Sequence, residues 1–336
     1  MEGSLTSELK PTIAPDYQTD KRMNAKLAAI PLPYIMGRSV LDVGTDMGYW
    51  AFLAASKHAS NVLGLDRNRE VRGVGHVNLI ELNRRRAADE GRHNVQFEHI
   101  NLGKQWREFG KFDTVLCFSM YHPFYECCGD HAPIWFWLSR HCKGQVLWEG
   151  PVDVTDPVVC ANVSDVNRGT YNREEILDAA SQYFKAEFIG PALHEPTREV
   201  WRFTPKTREI EIVQAEIVGG AGGATPAFLY DEGRRIDEIE YVLGFKPFPG
   251  SLNLRLAEPF DWDRGYYRAQ ILDVADRSAG LDSKWAPRWA RFYPVVIDGV
   301  QAWAFRFEGE KYNANFVELI APAKLRDVIS EAILCR

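Results

Sequence analysis

The chain has little that would place it outside the cell, in a membrane or on a long nucleic acid. Its six cysteines (Cys117, Cys127, Cys128, Cys142, Cys160 and Cys335) are too few and too irregularly spaced in 336 residues to form a disulfide framework. No apolar run is long enough to span a bilayer, and no signal peptide is expected. Positive charge is not in excess: the net charge is −6 and the pI near 5.8, so composition gives no footprint for a long polyanion. A zinc site is not expected at His122, Cys127, Cys128 and His131, because adjacent cysteines rarely both reach one tetrahedral ion and no Cys-x-x-Cys pair follows. The expectation is a soluble cytoplasmic protein acting on small molecules, without a membrane or long nucleic-acid partner; the oligomeric state is left open.

What the chain does have is apolar content sufficient for real cores, 46% hydrophobic residues, at a length that suits two domains. The first half is arranged around Val40-Leu41-Asp42-Val43-Gly44-Thr45-Asp46-Met47-Gly48. A short β-branched run is followed by a turn bracketed by two glycines, and then by the start of a helix at Tyr49-Trp50-Ala51-Phe52. Glycine lets a ligand approach the backbone closely, and the first helical amides face whatever lies there. About twenty residues on, Val62-Leu63-Gly64-Leu65-Asp66 ends a second apolar strand in a carboxylate suited to the paired hydroxyls of a ribose. A nicotinamide-type G-x-G-x-x-G turn would need glycine at Asp46 and Tyr49, and both are absent.

Along the chain, residues 1–20 lack periodicity and read as a flexible arm. A helix is expected over 70–90, ending in Arg84-Arg85-Arg86, which reads as a solvated helix end. Strands follow at 95–100, 112–118 and 145–148, with helices at 132–141 and 174–183 and a final pair of strands at 186–189 and 200–203. Trp135 and Trp137 read as core. Alternation of strands and helices implies a doubly wound α/β sheet, with ligands beyond the carboxyl ends of its strands. The residues after the fourth strand, Ser119-Met120-Tyr121-His122-Pro123-Phe124, should then face the chemistry, with His122 a candidate general base or a histidine that holds a loop. Glu149-Gly150-Pro151 after the fifth strand is a further candidate pocket wall.

The turn from Asp42 to Gly48 resembles motif I of the class I S-adenosylmethionine-dependent methyltransferases, acidic-x-Gly-x-Gly-x-Gly, with Asp46 where that family usually has its middle glycine. The resemblance implies a Rossmann-like sheet closed by an antiparallel hairpin. It implies cofactor contacts at Asp42, Gly44, Asp46, Gly48, Asp66, Asn101, Leu102 and Ser119.

Thr204-Pro205-Lys206-Thr207 marks a boundary, giving expected domains over 21–205 and 208–336. Beyond it, residues 209–218 alternate as a strand, and 219–225 form a glycine loop whose amides are able to cradle phosphates, without the Gly-Lys-Ser/Thr ending of a P-loop. The segment Leu243-Gly244-Phe245-Lys246-Pro247-Phe248-Pro249-Gly250-Ser251-Leu252-Asn253, with the later Glu318-Leu319-Ile320-Ala321-Pro322-Ala323-Lys324-Leu325-Arg326, resembles the archaeal CTP-dependent riboflavin kinases. That resemblance implies a small β-barrel holding CTP and Mg²⁺. Nucleotide contacts would come from Gly220, Gly222, Gly223, Ala224, Thr225, Ala323, Lys324, Leu325 and Arg326, metal ligands from Ser251 and Asn253, and Glu318 would stand beside the phosphate-accepting hydroxyl. Hard oxygen donors and an amide-rich loop are what phosphoryl transfer needs. Glu310 falls where the family has a flavin-contacting threonine and would put a negative charge beside a flavin phosphate; the glycine loop also lacks the family's usual glutamate. Riboflavin is therefore not the acceptor expected.

The chain thus reads as a bifunctional small-molecule enzyme: methyl transfer, to a hydroxyl, joined to CTP-dependent phosphorylation of a hydroxylated metabolite. Two rivals stand beside it. One is an RNA or tRNA methyltransferase with a non-catalytic nucleotide-binding barrel, which the acidic composition disfavours. The other is a pair of non-catalytic ligand sensors.

Overall fold

The computed structural model describes residues 26–28, 30, 32–67, 78–193, 195–207, 212–219, 228–229, 231–263, 265–274, 285–309, 313–329 and 333–335. The arm over 1–20, the glycine loop from Gly220 to Thr225, and Glu310 lie outside the described residues. Among the described residues no helix is long and apolar enough to cross a membrane.

The first half follows the expected alternation: β1 (Ser39–Val43), α1 (Tyr49–Ser56), β2 (Asn61–Asp66), α2 (Leu79–Asp89), β3 (Val95–His99) and β4 (Phe112–Phe118). Then come α3 (Tyr121–Cys128), α4 (His131–His141), β5 (Cys142–Pro151), α5 (Pro157–Asn162), α6 (Asp165–Arg168), α7 (Arg173–Ser181), β6 (Phe184–Ala192) and β7 (Glu195–Pro205). They build one seven-stranded sheet in the order β3-β2-β1-β4-β5-β7-β6. The first five strands are parallel, and β7 runs antiparallel to both β5 and β6. The β1 strand at the centre has Val40 to Val43 buried, as expected of a parallel strand covered on both faces. Trp135 and Trp137 are almost fully buried on α4, in the core.

Of the helix expected over 70–90, residues 70–77 lie outside the described residues; the described part, α2, is a helix capped by Asn78, whose side chain accepts from Glu81 N. The segment after β4, whose secondary structure the sequence left open, enters α3 at Tyr121. The closing hairpin is longer than the apolar pattern suggested: the ladder continues through Gly190 and Pro191 to Ala192 and resumes from Glu195.

Of the Arg84-Arg85-Arg86 triplet, Arg85 pairs with Glu81 in solvent, whereas Arg84 donates to Phe97 O and Arg86 lies 4.1 Å over the Phe52 ring.

The second half holds β8 (Ile212–Val218), α8 (Arg234–Leu243), β9 (Leu252–Leu256), β10 (Tyr267–Val274), β11 (Trp285–Ile297), β12 (Val300–Phe307), β13 (Phe316–Ile320) and β14 (Ile333–Cys335). All pairings here are antiparallel. Because β14 pairs with both β8 and β11, the ladder β11-β12-β13-β9-β8-β14 closes on itself, with β10 beside the first half of β11. Closure removes exposed strand edges. Leu252, Leu254 and Leu256 are buried while Asn253 and Arg255 alternate with them.

The two halves share a core. Trp106, between β3 and β4, lies parallel to Tyr267 of β10 with ring centroids 5.4 Å apart. Its indole N–H donates to Arg268 O at 3.0 Å, and its backbone N–H donates to Val242 O at 2.6 Å. Arg268 donates to Cys128 O, and Tyr266 OH donates to Asp130, which also caps α4. One continuous apolar cluster runs from Trp106 and Phe136 to Ile236, Val242, Tyr267 and Phe305.

Candidate functional site

At the carboxyl ends of β1 and β2 the glycine turn is held from three sides. Gly44 and Gly48 take left-handed backbones (φ 76° and 79°), and Asp46 does the same at φ 49°, a conformation that aspartate tolerates better than most side chains. Asp46 N donates to Asp66 Oδ2 at 2.6 Å, and the buried Asn83 of α2 donates to Asp46 O at 2.8 Å. Asp42 is fully buried and accepts from Thr45 Oγ1 at 2.7 Å and Ala51 N at 3.1 Å. Burial pushes its pKa up to about 7, against the hydrogen bond from Thr45. Asp42 therefore shapes the turn and the first turn of α1, while Asp66 lines a pocket with Arg67, Asn101, Leu102, Met120 and Cys127. That pocket holds only about 10 Å³. A Cβ at Gly44 would stand 1.8 Å from Met120 Cγ, so the methionine side chain lies directly over the turn.

Beyond β4, Ser119 is also left-handed (φ 60°) and lies within a knot of buried charge. Lys26 Nζ donates to Ser119 Oγ at 2.9 Å and to Glu149 Oε2 at 3.3 Å, and Arg198 Nη1 donates to Ser119 Oγ at 2.7 Å and Glu149 Oε1 at 3.4 Å. Glu149 is wholly buried and Arg198 nearly so; Arg198 also pairs with Glu195 at 2.5 Å. Burial without partners would be costly for any of these charges, and the knot supplies them. His122, on α3, is buried, and its Nδ1 has no hydrogen-bond partner among the described residues. Burial first, and then the Arg198 guanidinium, draw its pKa down to about 4, below the near-neutral value of a free histidine. The neutral ring remains an acceptor for a proton, although a weaker one.

Reading the sequence picked out Ser119, His122 and Glu149 but missed Lys26 and Arg198. Neither lies in a motif. Arg198 sits in a strand of alternating character, and its role appears only when β7 is placed beside β5, pairing Arg198 with Pro151. His131, weighed above as a zinc ligand, has Nδ1 bonded to Tyr121 OH at 2.7 Å and Nε2 to Thr170 O at 2.9 Å.

In the barrel the described candidates gather at one end. Val218, the last residue of β8 before the glycine loop, pairs with Asn253, and Asn253 pairs in turn with Glu318 across β9 and β13. Directly opposed residues point to the same face of a sheet. Ser251 Oγ is buried with no hydrogen-bond partner among the described residues. Arg326 Nη2 donates to Val218 O at 3.0 Å, and Phe248 N donates to Ala321 O at 2.8 Å, drawing the runs over 244–250 and 321–326 together. Leu325 is buried, whereas Ala323 is exposed and Lys324 pairs in solvent with Asp327. A buried hydroxyl without a partner among the described residues, two residues before the Asn253 amide, offers hard oxygen donors of the type a divalent cation takes.

Residues 220–331 match the family model of the CTP-dependent riboflavin kinases, described as a domain of unknown function, DUF120. Among curated proteins, the chain is 32% identical to a riboflavin kinase of Methanocella arvoryzae over 119 residues, 34% of this chain and 50% of that protein. A riboflavin kinase of Methanosarcina barkeri is 34% identical over 94 residues, 27% of this chain and 40% of the relative. The chain thus spans half or less of the length of these relatives. Similar solved structures include an S-adenosylmethionine-dependent methyltransferase from Mesorhizobium loti, with 15% identity, TM-score 0.41, 56% of this chain and 99% of that one. A putative S-adenosylmethionine-dependent methyltransferase from Listeria monocytogenes has 15% identity, TM-score 0.41, 55% of this chain and 97% of that one. Over residues 220–331 the chain is thus similar to the CTP-dependent riboflavin kinase family.

Proposed function

We propose that the chain is a bifunctional enzyme: S-adenosylmethionine-dependent methyl transfer in 21–205, and CTP- and Mg²⁺-dependent phosphorylation of a hydroxylated small molecule in 208–336. The observation that carries the reading is convergence. Residues scattered through the first half meet at the ends of β1, β2 and β4, and residues scattered through the second meet at one end of the barrel.

In the first site Asp66 accepts from the ribose hydroxyls, and Asn101 and Leu102 flank the adenine. Gly44 and Gly48 admit the methionine portion once Met120 rotates away, a movement that an unbranched thioether side chain makes at little cost. S-adenosylmethionine supplies an electrophilic methyl group, which passes from sulfur to the acceptor oxygen; His122 takes the proton that the hydroxyl releases. The knot of Lys26, Glu149 and Arg198 fixes Ser119 and sets the electrostatics around His122.

In the second site Ser251 and Asn253 hold Mg²⁺, which neutralises phosphate charge. The glycine loop and the run from Ala323 to Arg326 hold the nucleotide. Glu318 orients the accepting hydroxyl. Catalysis of this kind is mainly positioning and charge neutralisation. The acceptor is a metabolite other than riboflavin, since the charge of Glu310 opposes a flavin phosphate in the carried-over register: like charges at about 4 Å cost about 4 kcal/mol at an effective dielectric near 20. The test is purified full chain with Mg²⁺, riboflavin and either CTP or ATP, scored for flavin mononucleotide and for nucleotide affinity. Binding of CTP over ATP with little flavin mononucleotide is expected. Rapid CTP-dependent product removes the substrate claim, and tighter ATP binding removes the nucleotide claim.

A further inference from the structure

A cleft of about 420 Å³ lies between the two sheets, within the usual size range of small-molecule sites. One wall comes from the first half, with Gly103 and Lys104 beyond β3 and Cys127 on α3; the other comes from Tyr241 on α8, Gln270 on β10 and Trp289 on β11. It is separate from the pocket beside Asp66, yet the half-buried Cys127 lines both.

The lining has a definite chemistry. Tyr241 is 49% exposed, and Trp289, which also carries the Arg268 guanidinium 4.1 Å from its ring centroid, adds a second aromatic surface. The first wall is kept flat at Gly103: its φ is +88°, and a Cβ there would meet Cys127 Cβ at 2.7 Å and Phe124 O at 2.8 Å. Charge is balanced, with Lys104 and Arg234 against Asp237 and Glu238, so the cleft favours neither an anion nor a cation. The exposed Gln270 supplies both a donor and an acceptor at the rim.

We propose that this cleft binds a neutral, planar heteroaromatic small molecule between the two halves of the chain, and that its occupancy is felt at the pocket beside Asp66 through their common wall at Cys127. The ring lies against Tyr241 and Trp289, and its polar edge meets Gln270. Coupling between two sites is reciprocal, so a ligand in either changes the affinity of the other by the same factor. The coupling part rests on reading the neighbouring pocket as an adenosine site.

The probe is lumichrome, a neutral fused-ring heterocycle without sugar or phosphate. The full chain is alkylated with N-ethylmaleimide, and the rates at Cys127 and at the exposed Cys160 are followed by mass spectrometry, with lumichrome or with S-adenosylhomocysteine. Lumichrome is expected to slow Cys127 at least fivefold and leave Cys160 unchanged. Tyr241→Ala and Gln270→Ala, both at solvent-facing positions, should each raise the lumichrome concentration needed about tenfold, without altering protection by S-adenosylhomocysteine. An unchanged Cys127 rate with lumichrome, or protection indifferent to both variants, overturns the proposal. Protection by S-adenosylhomocysteine alone overturns the cleft while leaving the cofactor reading intact; protection by lumichrome alone keeps the cleft and removes the adenosine reading with its coupling.

Discussion

Asp66 has two tasks, because the oxygen that accepts from Asp46 N fixes the glycine turn and the same carboxylate lines the pocket. Asp66→Ala should weaken S-adenosylmethionine by about 1.5–3 kcal/mol, the range for hydrogen bonds to a charged group; unchanged affinity by calorimetry would remove the residue from the cofactor site. Asp46 shows how a sequence departure becomes intelligible in three dimensions. The position takes a left-handed backbone, which explains why glycine is usual there in the resembling family and why aspartate still serves. For His122 the residue was legible in the sequence but its protonation state was not. Depth of burial and the approach of Arg198 depend on β7, which local pattern does not place. His122→Ala should lower turnover about a hundredfold or more with cofactor affinity nearly intact. Since only the neutral ring accepts a proton and its pKa lies at about 4, kcat should stay level from pH 8 to 6 and fall only toward pH 4. An acid limb near pH 6.5 would contradict the buried placement.

Among the elements, most strands of the parallel sheet were legible because runs buried on both faces are continuous and apolar. The helix α3 was not. Pro123 argues against a helix, yet it stands in the first turn, where its missing N–H has no intrahelical acceptor to lose. The barrel candidates were legible as a motif, but their meeting was not: Asn253 opposite Glu318 is a matter of register between β9 and β13. Asn253→Ala should abolish Mg²⁺-dependent CTP binding and leave S-adenosylmethionine binding untouched. Retained CTP binding in that variant would take the metal site away from this end of the barrel. At the glycine turn, Gly44→Ala combines a left-handed backbone with a Cβ aimed at Met120. It should cost about 1–3 kcal/mol of stability and suppress cofactor binding; a variant as stable and as tightly binding as the parent would contradict the turn's geometry.

At the scale of the molecule, the change from alternating α/β pattern to strands marked the two halves, but nothing in local periodicity announced their common core. Trp106 and Arg268 are 162 residues apart in the chain and touch through one hydrogen bond. Trp106→Ala should cost about 3–5 kcal/mol and split a single thermal transition into two; one unshifted transition would argue against the shared core. Acid should also weaken the fold. His122, His131 and His141 are buried, each with its pKa lowered to about 4, so their stabilising contribution is complete above the unfolded value of 6.5 and is lost as pH falls from there toward 4. Asp42, whose folded pKa is raised to about 7, acts in the opposite sense and gains as pH falls through that value. Three against one predicts a lower urea midpoint at pH 5.5 than at pH 7, and a higher midpoint would contradict it.

Two separate nucleotide-type sites in one chain are tested by calorimetric titration of the full protein with S-adenosylmethionine and with CTP and Mg²⁺, in the parent, Asp66→Ala and Asn253→Ala proteins. Both ligands should bind the parent, Asp66→Ala should weaken only the first and Asn253→Ala should abolish only the second. Absence of heat for either ligand in the parent, or a single variant that removes both, would contradict two separate sites.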